Sequence, residues 1–206
     1  MQEARDFIEE GLLHLGISFD ERGLESIVSY VGYLDRWNQR MNLVGLKGSE
    51  AVVRRLIYDA FFLYTCIGPR HRVLEIGSGA GVVAIPLAIL GRSMVIVSVE
   101  KSLKKVQFQR HARRLLGLGN LEILHGRIED MAPLAAGILL AKAFGSASDI
   151  LAKGGRHLRE GGSAMLVKGA GERPLEKQGF LLEEVRAYRL PGGHRDYQLF
   201  VYKKVS

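Results

Sequence analysis

The chain has 206 residues, the length of one compact domain or of one domain with a small extension. With 47% hydrophobic and 25% charged residues it has the composition of a soluble globular protein, which excludes a disordered polymer. Lys and Arg number 29 against 22 Asp and Glu, a net charge of +7 that favours a polyanionic partner through counterion release and equally serves solubility. One cysteine, Cys66, excludes an internal disulfide and a cysteine-based metal cluster, and fits a reducing compartment. The polar start does not read as a signal peptide, and the longest apolar run, residues 82–90, is too short to span a bilayer and contains Pro86. A cytoplasmic protein is expected. The six histidines have no metal-ligand spacing, so no metal site is expected.

The first third reads as helices. A short one is expected around residues 6–15, stopped by Gly16, and a longer one carries Leu24, Ile27, Val28, Val31 and Leu34 at helical spacing. Ser18 with Glu21 fits a capping box ahead of it. A third helix follows Ser49, burying Val52, Val53, Leu56, Ile57, Ala60 and Phe61. These helices are too few for a generous core of their own, so residues 1–68 are expected to pack as an extension against a body formed by residues 69–206. From Arg72 short apolar strands alternate with helices. Strands are expected at 72–76, 94–99, 121–124, 138–141 and 164–168, with a basic amphipathic helix at 103–116. Residues 94–99 are apolar without alternation, as in a parallel strand covered on both faces. Strands at 181–190 and 197–202, separated by Pro191-Gly192-Gly193, form an antiparallel pair that closes a doubly wound α/β sheet.

The most informative segment is Glu75-Ile76-Gly77-Ser78-Gly79-Ala80-Gly81. Glycines let the chain turn sharply out of a strand and let a ligand approach the backbone. The G-x-G-x-G spacing differs from a dinucleotide fingerprint, whose last gap is longer. Glu75 stands at the strand end, where a carboxylate can face a cationic ligand. Glu100 ends the next strand, about 20 positions after the first glycine, the place from which a carboxylate binds ribose hydroxyls. Glu129-Asp130 follow the third strand and can face an adenine edge. Three acidic strand ends around a glycine turn suit a ligand with ribose, adenine and positive charge but no pyrophosphate, and S-adenosylmethionine meets that description.

Further segments carry a family resemblance. Trp37-Asn38 with Asn42-Leu43 resembles a W-N-x-x-x-N-L motif, Leu74 to Gly81 with Ile85-Pro86-Leu87-Ala88-Ile89 a methyl-donor loop, and Lys104-Lys105 with Phe108 a K-[KR]-x-x-F-L helix. Leu118-Gly119-Asn120, Arg127-Ile128-Glu129 and Ala143-Phe144 resemble later segments of the same set. Together they are similar to the bacterial small-subunit ribosomal RNA methyltransferase G family, also called glucose-inhibited division protein B, over nearly the whole chain. The resemblance implies a class I methyltransferase (Rossmann-like) fold with a helical N-terminal extension, and methylation of guanine N7 at one site in 16S rRNA. It implies donor contacts at Gly77, Val82, Ile128, Glu129 and Lys142, beside Glu75, Gly79, Gly81 and Glu100 from the residues themselves. The chain departs from the family pattern in Val82-Val83-Ala84 for F-P-G, in Lys142 for an arginine, and in Arg55 and Asp59-Ala60 for a His and an Asp-Ser pair.

Guanine N7 has an exposed lone pair and no proton, so its methylation needs in-line positioning rather than a general base, and no catalytic side chain is assigned. Candidate RNA contacts are Arg127, Lys142, Lys168 and Arg195, with 16S rRNA or the small ribosomal subunit as partner and a monomer favoured. Each of these cations, and the basic run Lys101, Lys104, Lys105, Arg110, Arg113 and Arg114, can equally be solvated surface charge. Trp37 and Cys66 read as packing residues. Alternative functions are a small-molecule methyltransferase, a ribosome-assembly factor that keeps the fold without catalysis and, more remotely, a nucleotide-dependent oxidoreductase.

Overall fold

The computed structural model describes residues 2–69, 71–192 and 196–205. Helices α1 (Gln2–His14) and α2 (Glu21–Met41) lead into α3 (Ser49–Val52), which passes through a π-helical turn, Val53–Ile57, into α4 (Tyr58–Cys66). Strands and helices then alternate: β1 (Arg72–Ile76), α5 (Ala84–Leu90), β2 (Val95–Glu100), α6 (Leu103–Leu115), β3 (Leu121–His125), β4 (Ala136–Lys142), α7 (Ala147–Gly154) and β5 (Leu158–Gly169). A hairpin of β6 (Phe180–Arg189) and β7 (Asp196–Lys204) completes the chain. The seven strands form one sheet in the order β3-β2-β1-β4-β5-β7-β6, with β7 entering antiparallel between β5 and β6 and the other neighbours parallel.

Alternation along β1 explains the apolar runs. Val73 faces a core shared with the N-terminal helices, α5 and Phe108 of α6, whereas Leu74 and Ile76 face a second core with Ile150 and Leu151 of α7. A strand covered on both sides has no polar face to alternate. The first core runs without a break from Ile8 and Tyr30 to Val73 and Ile96, so the extension packs directly on the sheet.

Local chemistry sets the helix ends. The cap of α2 is Asp20, whose carboxylate accepts the Gly23 N–H at 2.7 Å, and not Ser18 as the capping-box spacing suggests. Both side chains are good caps, and the one nearer the first helical turn takes the position. At the other end Asn42 adopts the left-handed conformation (φ 46°), and the Asn38 amide bridges the returning loop, donating to the Leu46 carbonyl at 2.7 Å and accepting the Val44 N–H at 2.8 Å. Asparagines at both positions of the W-N-x-x-x-N-L segment thereby terminate α2 and fold the loop back, burying Leu43. Trp37 is a packing residue, its ring 5.7 Å from Phe108 and 5.8 Å from His111. Cys66 is half-buried, with its sulfur 3.4 Å from an Arg186 guanidinium nitrogen.

Strand β5 is longer than the apolar run at 164–168 predicts. After the buried Leu158, the residues Arg159, Glu160 and Gly161 are exposed, and Gly161 has φ +66°, so the hydrophobic pattern is silent there. Among the described residues no helix is long and apolar enough to cross a membrane.

Candidate active site

The glycine turn leaves β1 at the carboxyl edge of the sheet and is fastened to β2. Gly77 and Ser78 donate their N–H groups to the Val99 carbonyl at 2.9 and 3.2 Å. Glu100, buried at the end of β2, accepts the Gly79 N–H through Oε2 and the Ser102 N–H through Oε1, both at 2.8 Å. Each oxygen of the carboxylate keeps acceptor capacity beyond these two bonds. Gly77, Gly79 and Gly81 all have positive φ, 66°, 60° and 78°. The carboxylate therefore shapes the turn as well as facing its open side.

Beneath the turn lies a buried polar cluster that the sequence pattern does not identify. The Ser98 hydroxyl is 2.7 Å from Ser78 Oγ and donates to Gln109 Oε1 at 2.6 Å, while Gln109 Nε2 donates to the Gly79 carbonyl at 2.7 Å. Tyr30 of α2 donates to the Ala80 carbonyl at 3.0 Å from the other side. A serine in an apolar strand and a glutamine on the buried face of a basic helix are the signals that could have found it.

Glu75 is turned inward. It is buried, and its Oε2 accepts the Ala84 N–H at 2.9 Å, so it fastens the start of α5 rather than lining the open cleft. Burial pushes its carboxyl up to about 8, opposed by the Ala84 bond and Lys142 and assisted by Glu100.

A cleft of about 380 Å³ opens beside the turn, lined by Gly77 and Glu100 with Arg127, Ile128, Glu129 and Phe144, among others. The structure thus brings Gly77, Glu100, Arg127, Ile128 and Glu129, expected above as donor or RNA contacts, to one surface. Glu129 sits 3.3 Å from Lys153, and its own backbone N–H, ahead of Lys153 and Arg127, holds its carboxyl below the usual range. The ring of Phe144 covers Gly77, so a Cβ on Gly77 would collide with it. Gly79 is open: nothing lies within 4 Å of where its Cβ would stand. Gly81 backs onto Ile85 and Gln109, and neither it nor Gly79, Val82 or Asp130 lines this cleft.

The remaining cations have different fates. Lys142, at the end of β4, pairs with the fully buried Asp59 of α4 and lies 3.5 Å from the Arg55 carbonyl in the π-turn. Tyr188 of β6 donates to the same carboxylate at 2.9 Å and stacks on Phe62 with ring centroids 3.8 Å apart. Tyr188 carries no signal in the sequence, and Asp59 enters the sequence reading only beside Ala60, as the segment in place of an Asp-Ser pair. Lys168 is buried, bonded to the Gly145 carbonyl and 3.2 Å from Glu172. Its charge is used inside the protein, which corrects its selection as an exposed RNA contact. Arg127 is exposed at the cleft, and Arg195 lies outside the described residues.

Sheet order, glycine turn and acidic strand end define a class I methyltransferase fold. Solved structures that share it include M. jannaschii TYW2 in complex with AdoMet (17% identity, TM-score 0.58, 72% of this chain and 74% of that one) and a methyltransferase from Geobacter sulfurreducens (14%, 0.58, 86% and 90%). A model of the GidB family, rRNA small subunit methyltransferase G, matches residues 23–190, and the chain belongs to this family. It is 30% identical to the ribosomal RNA small subunit methyltransferase G of Geotalea uraniireducens, covering 100% of this chain and 99% of that protein. It is 26% identical to the one from Neisseria meningitidis serogroup C, covering 98% and 99%.

Proposed function

We propose that the protein transfers the methyl group of S-adenosylmethionine to N7 of a guanosine in 16S rRNA of the small ribosomal subunit. One observation supports this most directly in a chain of the rRNA methyltransferase G family: Glu100 holds the Gly79 N–H and stands at a cleft shared with Gly77, Ile128 and Glu129. The residues present fit the donor. Glu100 has acceptor capacity for ribose hydroxyls, Gly79 leaves the backbone open to close approach, and Ile128 offers an apolar wall with Glu129 beside it for an adenine edge. Gly81 and Glu75 act behind the surface, setting the turn and the start of α5, and Val82 follows the turn.

When bound, the donor supplies an electrophilic methyl group on a sulfonium. The chain's own task is to hold donor and guanine in line and to exclude water. N7 has no proton to remove, and Lys101, Lys105 and Arg127 at the cleft offer charge for a phosphate rather than a base. Lys142, fixed by Asp59, is the cation we assign to the mouth of the site. We read the protein as a monomer and place it in the cytoplasm with its substrate.

The test is to map N7-methylguanosine in 16S rRNA from cells with and without the gene, and to follow labelled methyl transfer in vitro to small subunits and to deproteinised 16S rRNA. Gene-dependent loss of one N7-methylguanosine is expected. Transfer to a metabolite would favour a small-molecule enzyme, and donor binding with no acceptor a non-catalytic assembly factor.

A further inference from the structure

Helix α6 begins at the cleft, where Lys101 and Lys105 line the wall, and runs away from it for 13 residues, about 20 Å. Its outer face carries Arg110 and Arg114, both exposed, with Arg113 beside them. The C-terminal half of α2 lies alongside: Lys104 donates to the Met41 carbonyl at 2.8 Å, and Tyr33 stacks on His111 with centroids 5.0 Å apart and planes at 8°. On α2, Arg36 and Arg40 are exposed in the half of the helix that packs on α6. The Arg36 guanidinium lies 5.5 Å over the Tyr33 ring, which supports this cation from below.

The charge on this face is not neutralised. Among the described residues no carboxylate lies within 4.0 Å of Arg36, Arg40, Arg110, Arg113 or Arg114, whereas Arg5 and Arg54, which tie the N-terminal helices together, each meet two or more glutamates. One groove on α2 is lined by Arg36, Trp37 and Arg40, another on α6 by Arg110, Arg113 and Arg114, and neither has an acidic residue in its wall. Uncompensated cations on a rigid support, continuous with the lip of a catalytic cleft, are complementary to a phosphodiester backbone.

We infer that the α2–α6 face is the docking surface for the phosphate backbone of the rRNA segment flanking the target guanosine, delivering that nucleotide past Lys101 and Lys105 into the cleft. The inference rests on the rRNA methyltransferase reading. It differs from a merely basic protein in being local, since the contact with the flanking backbone is carried by the cations of this face.

The test compares the wild type with the triple variant Arg36→Gln, Arg110→Gln, Arg114→Gln and with a control, Arg22→Gln, Arg92→Gln, whose two exposed arginines lie at the far end of α2 and beyond α5. Binding to deproteinised 16S rRNA and to small subunits is titrated over a range of salt concentrations, with donor affinity by calorimetry and steady-state methyl transfer alongside. The triple variant is expected to raise KM for RNA several-fold and to flatten the salt dependence by about 2–3 in log–log slope, roughly one for each phosphate that the variant leaves without its cation. Donor affinity should stay at the wild-type value, which also reports an intact fold, and the control should behave as wild type. A triple variant with wild-type KM and slope overturns the docking surface while leaving the function intact, as does a control that loses as much as the triple. A wild type that methylates neither RNA form overturns the functional reading beneath it.

Discussion

Lys142, the last residue of β4, sets its ammonium against the carboxylate of Asp59, a residue of α4 with no exposed surface. The pair joins the N-terminal helices to the strand ends of the sheet, and Tyr188 completes it from the hairpin. A buried carboxylate needs its partners because removing one leaves an uncompensated charge in a poorly polarisable setting.

Lys142→Ala should therefore cost stability as well as activity: about 3 kcal/mol, the low end for breaking a buried pair because the lysine is partly exposed. The double variant Lys142→Met, Asp59→Asn should recover most of that stability without recovering methyl transfer, if the cation positions the incoming nucleotide. Urea unfolding and single-turnover assays on small subunits separate the two effects. Lys142→Arg should keep most activity, since the charge is retained and only the geometry changes. Full activity in the double variant would leave Lys142 a purely structural residue.

What the sequence made legible follows from how local each signal is. The glycine turn, Glu100 and the central strands are read from neighbouring residues, and the structure places them together. Asp59 and Tyr188 are 129 positions apart, so nothing in either segment marks them as partners. Ser98 and Gln109 look like lapses in apolar patterns until the turn above them supplies the bonds. Lys168 illustrates the opposite error: a lysine at a strand end reads as exposed, yet the loop at Gly145 folds over it. The inward rotation of Glu75 likewise depends on where α5 begins, which strand periodicity does not encode.

Glu100→Gln should weaken adenosylmethionine binding by about 1.5–3 kcal/mol, the range for hydrogen bonds to a charged group. The amide retains one acceptor oxygen for two backbone donors, Gly79 and Ser102, so part of the loss is a looser turn. Calorimetry gives the binding loss, and a thermal melt of the donor-free protein gives the share borne by the turn. Wild-type affinity in the variant would place the ribose elsewhere.

Gly77→Ala and Gly79→Ala should differ although both residues have positive φ. Each incurs a left-handed strain of about 1–2 kcal/mol. Only the Cβ at 77 also meets a ring, that of Phe144, while the one at 79 points into open space. Gly77→Ala is therefore expected to be the less stable protein, and Gly77→Ala with Phe144→Ala to relieve the collision but not the strain. Comparing the three by urea unfolding checks the order; equal stability of the two single variants would contradict it.

Glu75 gives a pH dependence whose sign is fixed by its burial. Its carboxyl titrates at about 8 in the folded protein against 4.5 in an unperturbed chain, because desolvation outweighs the Ala84 N–H and Lys142. Below the lower value both states hold the proton and Glu75 has no effect on stability. Between the two values the unfolded chain has released its proton while the folded protein keeps it, so stability falls as pH rises, and above the upper value the full cost is present. Glu75→Gln removes the titration and can keep the bond from Ala84 to its carbonyl oxygen. The variant should therefore match the wild type near pH 4 and be more stable at pH 8.5, the gap opening through the interval between. Other groups give the protein pH dependence of their own, so the quantity to measure is the difference between the two proteins in urea unfolding across that interval. A constant difference would mean that Glu75 is ionised throughout, held by Lys142 and the start of α5 more strongly than its burial opposes.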